Sequence, residues 1–332
     1  MQRGYTPGQN GSGRKKQRSY SYVPAEKKRR QTTLICAVLL GIVLVFSAWQ
    51  LISYAVDYFS AKNASNELRE LYYQSEPETT AEPTAQPSPS PAAEPTATLP
   101  PQATATPSPT PPTELQSQHY PGNPYGTISS RFQKLRRQND DIIGWLSIEN
   151  LLDEAVVQRD NTYYLRRDYR GYHNVNGALF LDEGIYLKNR PYTLTVYGHN
   201  MKTGAMFGNL RNYEKLHFYQ QNPFVTFDTM YEDGRYVIFS VTELSLDAKD
   251  HNYFSFGKIH SDNIAWRKEA ISTLKSHSLY STAIDVQPED QILLLVTCVE
   301  DEEERRIIAA RRVREDETEE ALQRKVDQSR KW

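Results

Sequence analysis

Residues 291–298 read QILLLVTC, and residues 305–313 read RRIIAARRV. Both runs are short, apolar and rich in branched side chains, which marks strands rather than helices. Working outward, the same composition recurs in TLTVYG (193–198), RYVIFSVTEL (235–244), FVTFDTM (224–230), ALFLD (178–182) and GWLSIE (144–149). Glu232-Asp233-Gly234 lies between two of these runs and reads as a hairpin turn. One helix interrupts the series, from about Asp262 to His277, with Ile264, Ala265, Ile271 and Leu274 at roughly helical spacing. A shorter one covers Ser129–Gln138, with Ser129 or Ser130 as its cap. Seven or eight strands with one or two helices predict a mainly β fold, a barrel with flanking helices.

The chemistry sits where the apolar runs stop. Cys298 ends one strand just before the polar stretch VEDEEERR, and His199 ends TLTVYGH in the same way. A strand end delivers its side chain to a rim, which disfavours the alternative of an inert, buried cysteine. The chain has two cysteines, and Cys36 lies in an apolar stretch near the N-terminus, so the two do not pair. A cysteine attacks as its thiolate. A neighbouring histidine stabilises that thiolate and then donates a proton to a leaving amine. Arg306 opens the next strand; a guanidinium is no base, but it holds a carbonyl or a developing oxyanion. Arg305 adjoins it, and strand alternation sends the two to opposite faces. Arg306 is preferred for the groove because IIAA starts directly after it.

The remainder of the chain is organised around a membrane. The 332 residues carry a formal net charge of -2, which gives no basis for nucleic-acid binding by the whole chain. Residues 1–33 form a basic arm of a composition expected to be disordered. Residues 34–56 (LICAVLLGIVLVFSAWQLISYAV) contain no charge and, at about 1.5 Å per residue, span a hydrocarbon core. The basic flank predicts a cytoplasmic N-terminus and an external C-terminus. A cleaved signal peptide is disfavoured by the length of the run and by the absence of a clear small-x-small site. Residues 57–75 continue as a short helix through NELRELYYQ. Residues 76–118 are rich in Pro, Thr and Ser; they cannot bury a core and read as an extended stalk. At about 3.1 Å per residue this stalk reaches on the order of 100 Å. The globular domain then covers 119–314, and 315–332 is a charged tail, either a solvated helix or disordered.

The segment TLTVYGHNMKTGAMFGNL resembles the histidine segment of class B sortases, and ILLLVTC with RRIIAARRV resembles their cysteine and arginine strands. DDIIGWLSIEN, VVQRDNTYYLRRDYRG and GALFLD are similar to the earlier strands of that class, so the likeness covers about residues 128–314. The order His, Cys, Arg is the family order. The resemblance implies an eight-stranded barrel with Cys298, His199 and Arg306 lining one groove. It implies a cysteine transpeptidase that cleaves a sorting signal of a secreted protein and forms a thioester. The acyl group then passes to an amine of a cell-wall precursor or a pilin, with no metal or organic cofactor. By similarity, Asn161, Leu165 and Thr297 touch the sorting peptide or shape the groove.

Two other classes fit parts of the pattern. A cysteine peptidase trimming wall peptides would share the nucleophile, although many such enzymes place the cysteine before the histidine. A non-catalytic wall-binding module on a stalk would have no use for the three strand-end residues. The acidic run Glu300–Glu304 is read as a solvated loop, with attraction of a cationic amine as its sharper alternative.

Overall fold

Branched apolar side chains occupy both faces of the central strands, so the sheet must be covered on both sides. The computed structural model describes residues 25–74, 114–116, 118–298 and 304–332. Six strands come first: β1 (Ile142–Ile148), β2 (Leu152–Val157), β3 (Leu179–Leu181), β4 (Thr193–His199), β5 (Phe224–Thr229) and β6 (Arg235–Ser245). After the short β7 (Tyr280–Ser281) come β8 (Ile292–Cys298), β9 (Glu304–Arg312) and the short β10 (Arg330–Lys331). Eight of them close a barrel in the order β1-β2-β3-β4-β8-β9-β6-β5, and β7 pairs with β10 apart from it. The pairs β2–β3 and β4–β8 are parallel; the other barrel pairs are antiparallel. The expected barrel is therefore present, and the Glu232–Gly234 turn links β5 to β6, with Phe227 N–H donating to Gly234 O at 2.8 Å.

The barrel interior is filled by Leu146, Val156, Val196, Phe227, Leu293, Leu295 and Ile308. Outside, a second cluster joins Trp145, Ala155 and Phe180 to helix α2 (Ser130–Arg136), whose N-cap is Ser129. Helices α3 (Leu216–Gln221), α4 (Phe256–Ile259) and α5 (Ile264–Ser276) flank the barrel. Helix α5 falls within the expected Asp262–His277 segment. It is pinned by Arg267, whose fully buried guanidinium donates to Thr193 Oγ1 at 2.7 Å and to the carbonyls of Ile259, Pro288 and Asp290. Burial pushes the Arg267 pKa down to about 10, and the fan of acceptors is what keeps such a charge tolerable there.

Three expectations about organisation change. Strand β2 lies outside the runs expected as strands, because Asp153 and Glu154 break its apolar pattern. The charged tail is part of the domain: α6 (Glu319–Asp327) buries Leu322 and Val326, and Glu317 just before it grips the fully buried Arg311 at 2.6 and 2.7 Å. The third change concerns the helix before the Pro-rich segment. Residues up to Val56 and residues from Asp57 onward form separate compact units. Helix α1 (Ala25–Tyr73) belongs to both, and its stretch in the second unit packs on the barrel through Ala64, Leu68 and Tyr72. Glu114 and Leu115, at the other end of the Pro-rich segment, also stand on the domain, bonded to Asn263 and Asp262. Residues 76–113, read as a stalk, lie outside the described residues, as do 299–303 of the acidic run. In the first unit, Thr33–Val56 is a stretch of 24 residues, mean hydropathy 2.5, long and apolar enough to cross a membrane.

Candidate active site

Parallel pairing of β4 with β8 sets the site. Its register runs from Thr193 opposite Ile292 to His199 opposite Cys298, so both strands end level. The buried apolar residues that hold the register, Leu194, Val196, Leu293 and Leu295, therefore also bring positions 199 and 298 side by side. Gly198 is needed for the approach behind them: a Cβ there would come within 2.5 Å of Leu179 and 2.8 Å of Phe207.

His199 is held from two directions. Its main-chain carbonyl accepts from Phe207 N–H at 3.0 Å. Its ring Nε2 lies 2.6 Å from the Leu165 carbonyl. A carbonyl only accepts, so Nε2 carries the hydrogen, and Nδ1 is left as the nitrogen that can gain or lose a proton. Leu165 lies in a single 3-10 turn, Tyr163–Arg166. Gly177, at φ +63°, allows the chain to pass behind that turn; a Cβ there would sit 2.6 Å from both the Tyr164 and Leu165 oxygens.

Of the three residues expected to touch a peptide, two gather at this end of β4. Asn161 donates from Nδ2 to Asp182 Oδ2 at 3.2 Å, and its Oδ1 accepts from Glu183 N–H at 2.9 Å. Asp182 Oδ2 also accepts from Tyr197 Oη–H at 3.1 Å, and Tyr197 stands two residues before His199 on the same face. Leu165 supplies its carbonyl to His199 while its side chain stays half-buried. Thr297 differs. It is fully buried, and its Oγ1 accepts from Arg306 N–H at 3.1 Å, a strap between β8 and β9. Its hydroxyl bonds the β9 main chain inside the sheet.

The two adjacent arginines are separated by face. Residues paired across strands share a face, and alternate residues along a strand share a face. Tyr197 pairs with Val296, and Val296 with Ile307, which carries the face of His199 across to β9. Two residues before Ile307 on that face is Arg305. Arg306 stands on the opposite face, paired with Glu243 in β6. Its guanidinium is held there by Glu243, with Nε 3.1 Å from Oε1, and by Glu214 at 2.5 Å. The start of the apolar run and the register with β8 thus favour different members of the Arg305–Arg306 pair.

The sequence reading missed Asp182 and Tyr197. Tyr197 was accessible to it, being two residues from His199 in a recognised strand. The Leu165 carbonyl was not, since a main-chain partner leaves no mark in the residue type.

The sortase domain family model matches residues 147–313, half of the chain. Sortase B of Listeria monocytogenes is 28% identical over 178 residues, covering 53% of this chain and 70% of the relative. Sortase B of Staphylococcus aureus is 28% identical over 173 residues, covering 52% and 68%. Among solved structures, a Staphylococcus aureus sortase B–substrate complex is similar at TM-score 0.51 and 26% identity, covering 57% of this chain and 88% of that one. A Bacillus anthracis sortase B shares the fold at TM-score 0.55 and 24% identity, covering 78% and 98%. The chain belongs to the sortase family of cysteine transpeptidases, and within it to class B.

Proposed function

We propose that this chain anchors in a membrane by residues 33–56 and, outside it, joins sorting-signal proteins to an amine through a thioester on Cys298. The Cys298 thiolate attacks the scissile carbonyl. Protonated His199, with Nε2 tied to Leu165, gives the Nδ1 proton to the leaving amine, and the acyl group remains on sulfur. An incoming amine then attacks the thioester, loses its proton to His199 Nδ1 and releases the thiolate, which closes the cycle. Arg305 is the electrostatic clamp for the carbonyl oxygen as it gains charge. Asn161, Leu165 and Thr297 remain the candidates for contact with the sorting peptide, Thr297 through its main chain. The acceptor is an amine of a cell-wall precursor or of a pilin.

The observation that supports this reading best is the level ending of β4 and β8, His199 opposite Cys298. The Staphylococcus aureus substrate complex supports a sorting peptide as the acyl donor. The basic arm before the apolar stretch supports a cytoplasmic N-terminus with the barrel outside.

The test is a product analysis. The full chain in detergent is given a peptide library spanning sorting-signal sequences, with and without triglycine. Cleavage is expected, with triglycine diverting product from free acid to amide as its concentration rises. Cys298→Ala is expected to lose turnover by at least about 10³-fold. Free acid alone at every triglycine concentration would instead identify a peptide hydrolase.

A further inference from the structure

A segment that keeps a domain away from its anchor must have the anchor at one end and the domain at the other. The Pro/Thr/Ser-rich segment does not meet that condition. At its start, Ala64, Leu68 and Tyr72 form one stripe of α1 at i, i+4 and i+8, all buried against the domain. Tyr72 stacks on Trp145 of β1, centroids 4.4 Å apart and planes 11° from parallel. Its hydroxyl donates to Asp228 and accepts from Arg131 Nη1 at 2.7 Å. Along the flanks of the stripe, Arg69 Nε pairs with Asp153 at 2.7 Å, and Ser65 donates to Glu154 at 2.5 Å. At the segment's other end, Leu115 N–H donates to Asp262 O at 2.7 Å, and Gln116 O accepts from Tyr192 Oη–H at 2.9 Å. Tyr120 is buried with its hydroxyl on the Leu187 carbonyl.

We propose that Ser60–Tyr73 is a clamp that holds the catalytic domain to the N-terminal part of the chain by side-chain contacts, and that the Pro-rich segment is a tether leaving from and returning to one body. The clamp also reaches the stretch that seats the histidine. The Ala64 carbonyl lies 3.4 Å from Tyr169 Oη, and Ser60 Oγ lies 3.4 Å from Arg170 Nη2. Leu68 and Tyr72 share their cluster with Tyr164, next to the Leu165 carbonyl that holds His199.

The experiment uses the full chain in detergent, tagged at the N-terminus, with a specific protease site placed among residues 85–105. After complete cutting, the tagged fragment is captured and the resin washed. The clamp predicts that the catalytic fragment stays on the resin. Leu68→Asp with Tyr72→Ala should release at least about tenfold more of it under the same wash, as loss of the buried Leu and Tyr contacts implies. The milder Tyr72→Phe, which keeps the ring stack, should release an intermediate amount. A wild-type catalytic fragment that leaves with the first wash would overturn the proposal. So would equal release from wild type and the double variant. Neither readout involves turnover, so the result stands apart from the assignment of the catalytic residues.

Discussion

At the scale of single residues, the site depends on which of two adjacent arginines faces His199. Register assigns that face to Arg305 and gives Arg306 to Glu214 and Glu243. Arg305→Ala is therefore expected to lower kcat/KM for peptide cleavage by about 10²–10³-fold, the usual loss for a donor to a developing oxyanion. Arg306→Ala should stay within a few-fold of wild type and cost about 1 kcal/mol of stability, since both its partners are half exposed. The reverse ranking, read from steady-state kinetics and urea unfolding of both variants, would show the β8–β9 register to be misassigned. The strand-end placement of Cys298 and His199 was legible because each closes an apolar run. The choice between Arg305 and Arg306 was not, because it depends on how β9 pairs with β8 and β4. That pairing is a tertiary fact, whereas the local pattern marks only where apolar residues begin.

Elements were legible where apolar composition dominates and hidden where charge interrupts it. β8 and β9 announce themselves; β2 is masked by Asp153 and Glu154, and α6 by a surface dense in charge with two core residues, Leu322 and Val326. The same camouflage covered α1 beyond the apolar stretch, where Leu68 and Tyr72 sit among Glu67, Arg69 and Glu70. The tail's attachment has a measurable signature at Glu317. Burial pushes its carboxyl up, but the bidentate hydrogen bonds from Arg311, the Arg314 N–H and both guanidinium charges outweigh that and hold it below the usual carboxylate range. A depressed carboxyl contributes stability above its unfolded pKa, near 4.3, and loses it as pH falls through the folded value. Glu317→Gln should thus destabilise the fold by about 1–2 kcal/mol at pH 7, because it removes the bidentate partner of the buried Arg311 and leaves it the more distant carboxylates of Asp285 and Asp290, 3.7 and 4.0 Å away. The difference from wild type should shrink steadily below about pH 4. Chemical unfolding across that pH range checks it; a gap that stays constant from pH 7 to 3 would remove the ion pair from the account.

For the whole molecule, composition alone separates the basic arm, the apolar stretch, the Pro-rich segment and the globular domain. What composition could not reveal is connectivity in space. A Pro-rich run reads as a spacer until both of its ends are found on the same body, and the residues that dock those ends are ordinary Leu, Tyr and Gln. In the proposed function the barrel serves one event, acyl transfer to sulfur at the level ends of β4 and β8. That event is best tested by intact-mass measurement of the full chain, in detergent, after brief mixing with a peptide that the library identifies as cleaved. The account predicts a gain equal to the N-terminal acyl fragment, mapped to Cys298, discharged by triglycine and missing from Cys298→Ala. A cleaving enzyme that never carries the fragment, or carries it at another residue, would contradict it.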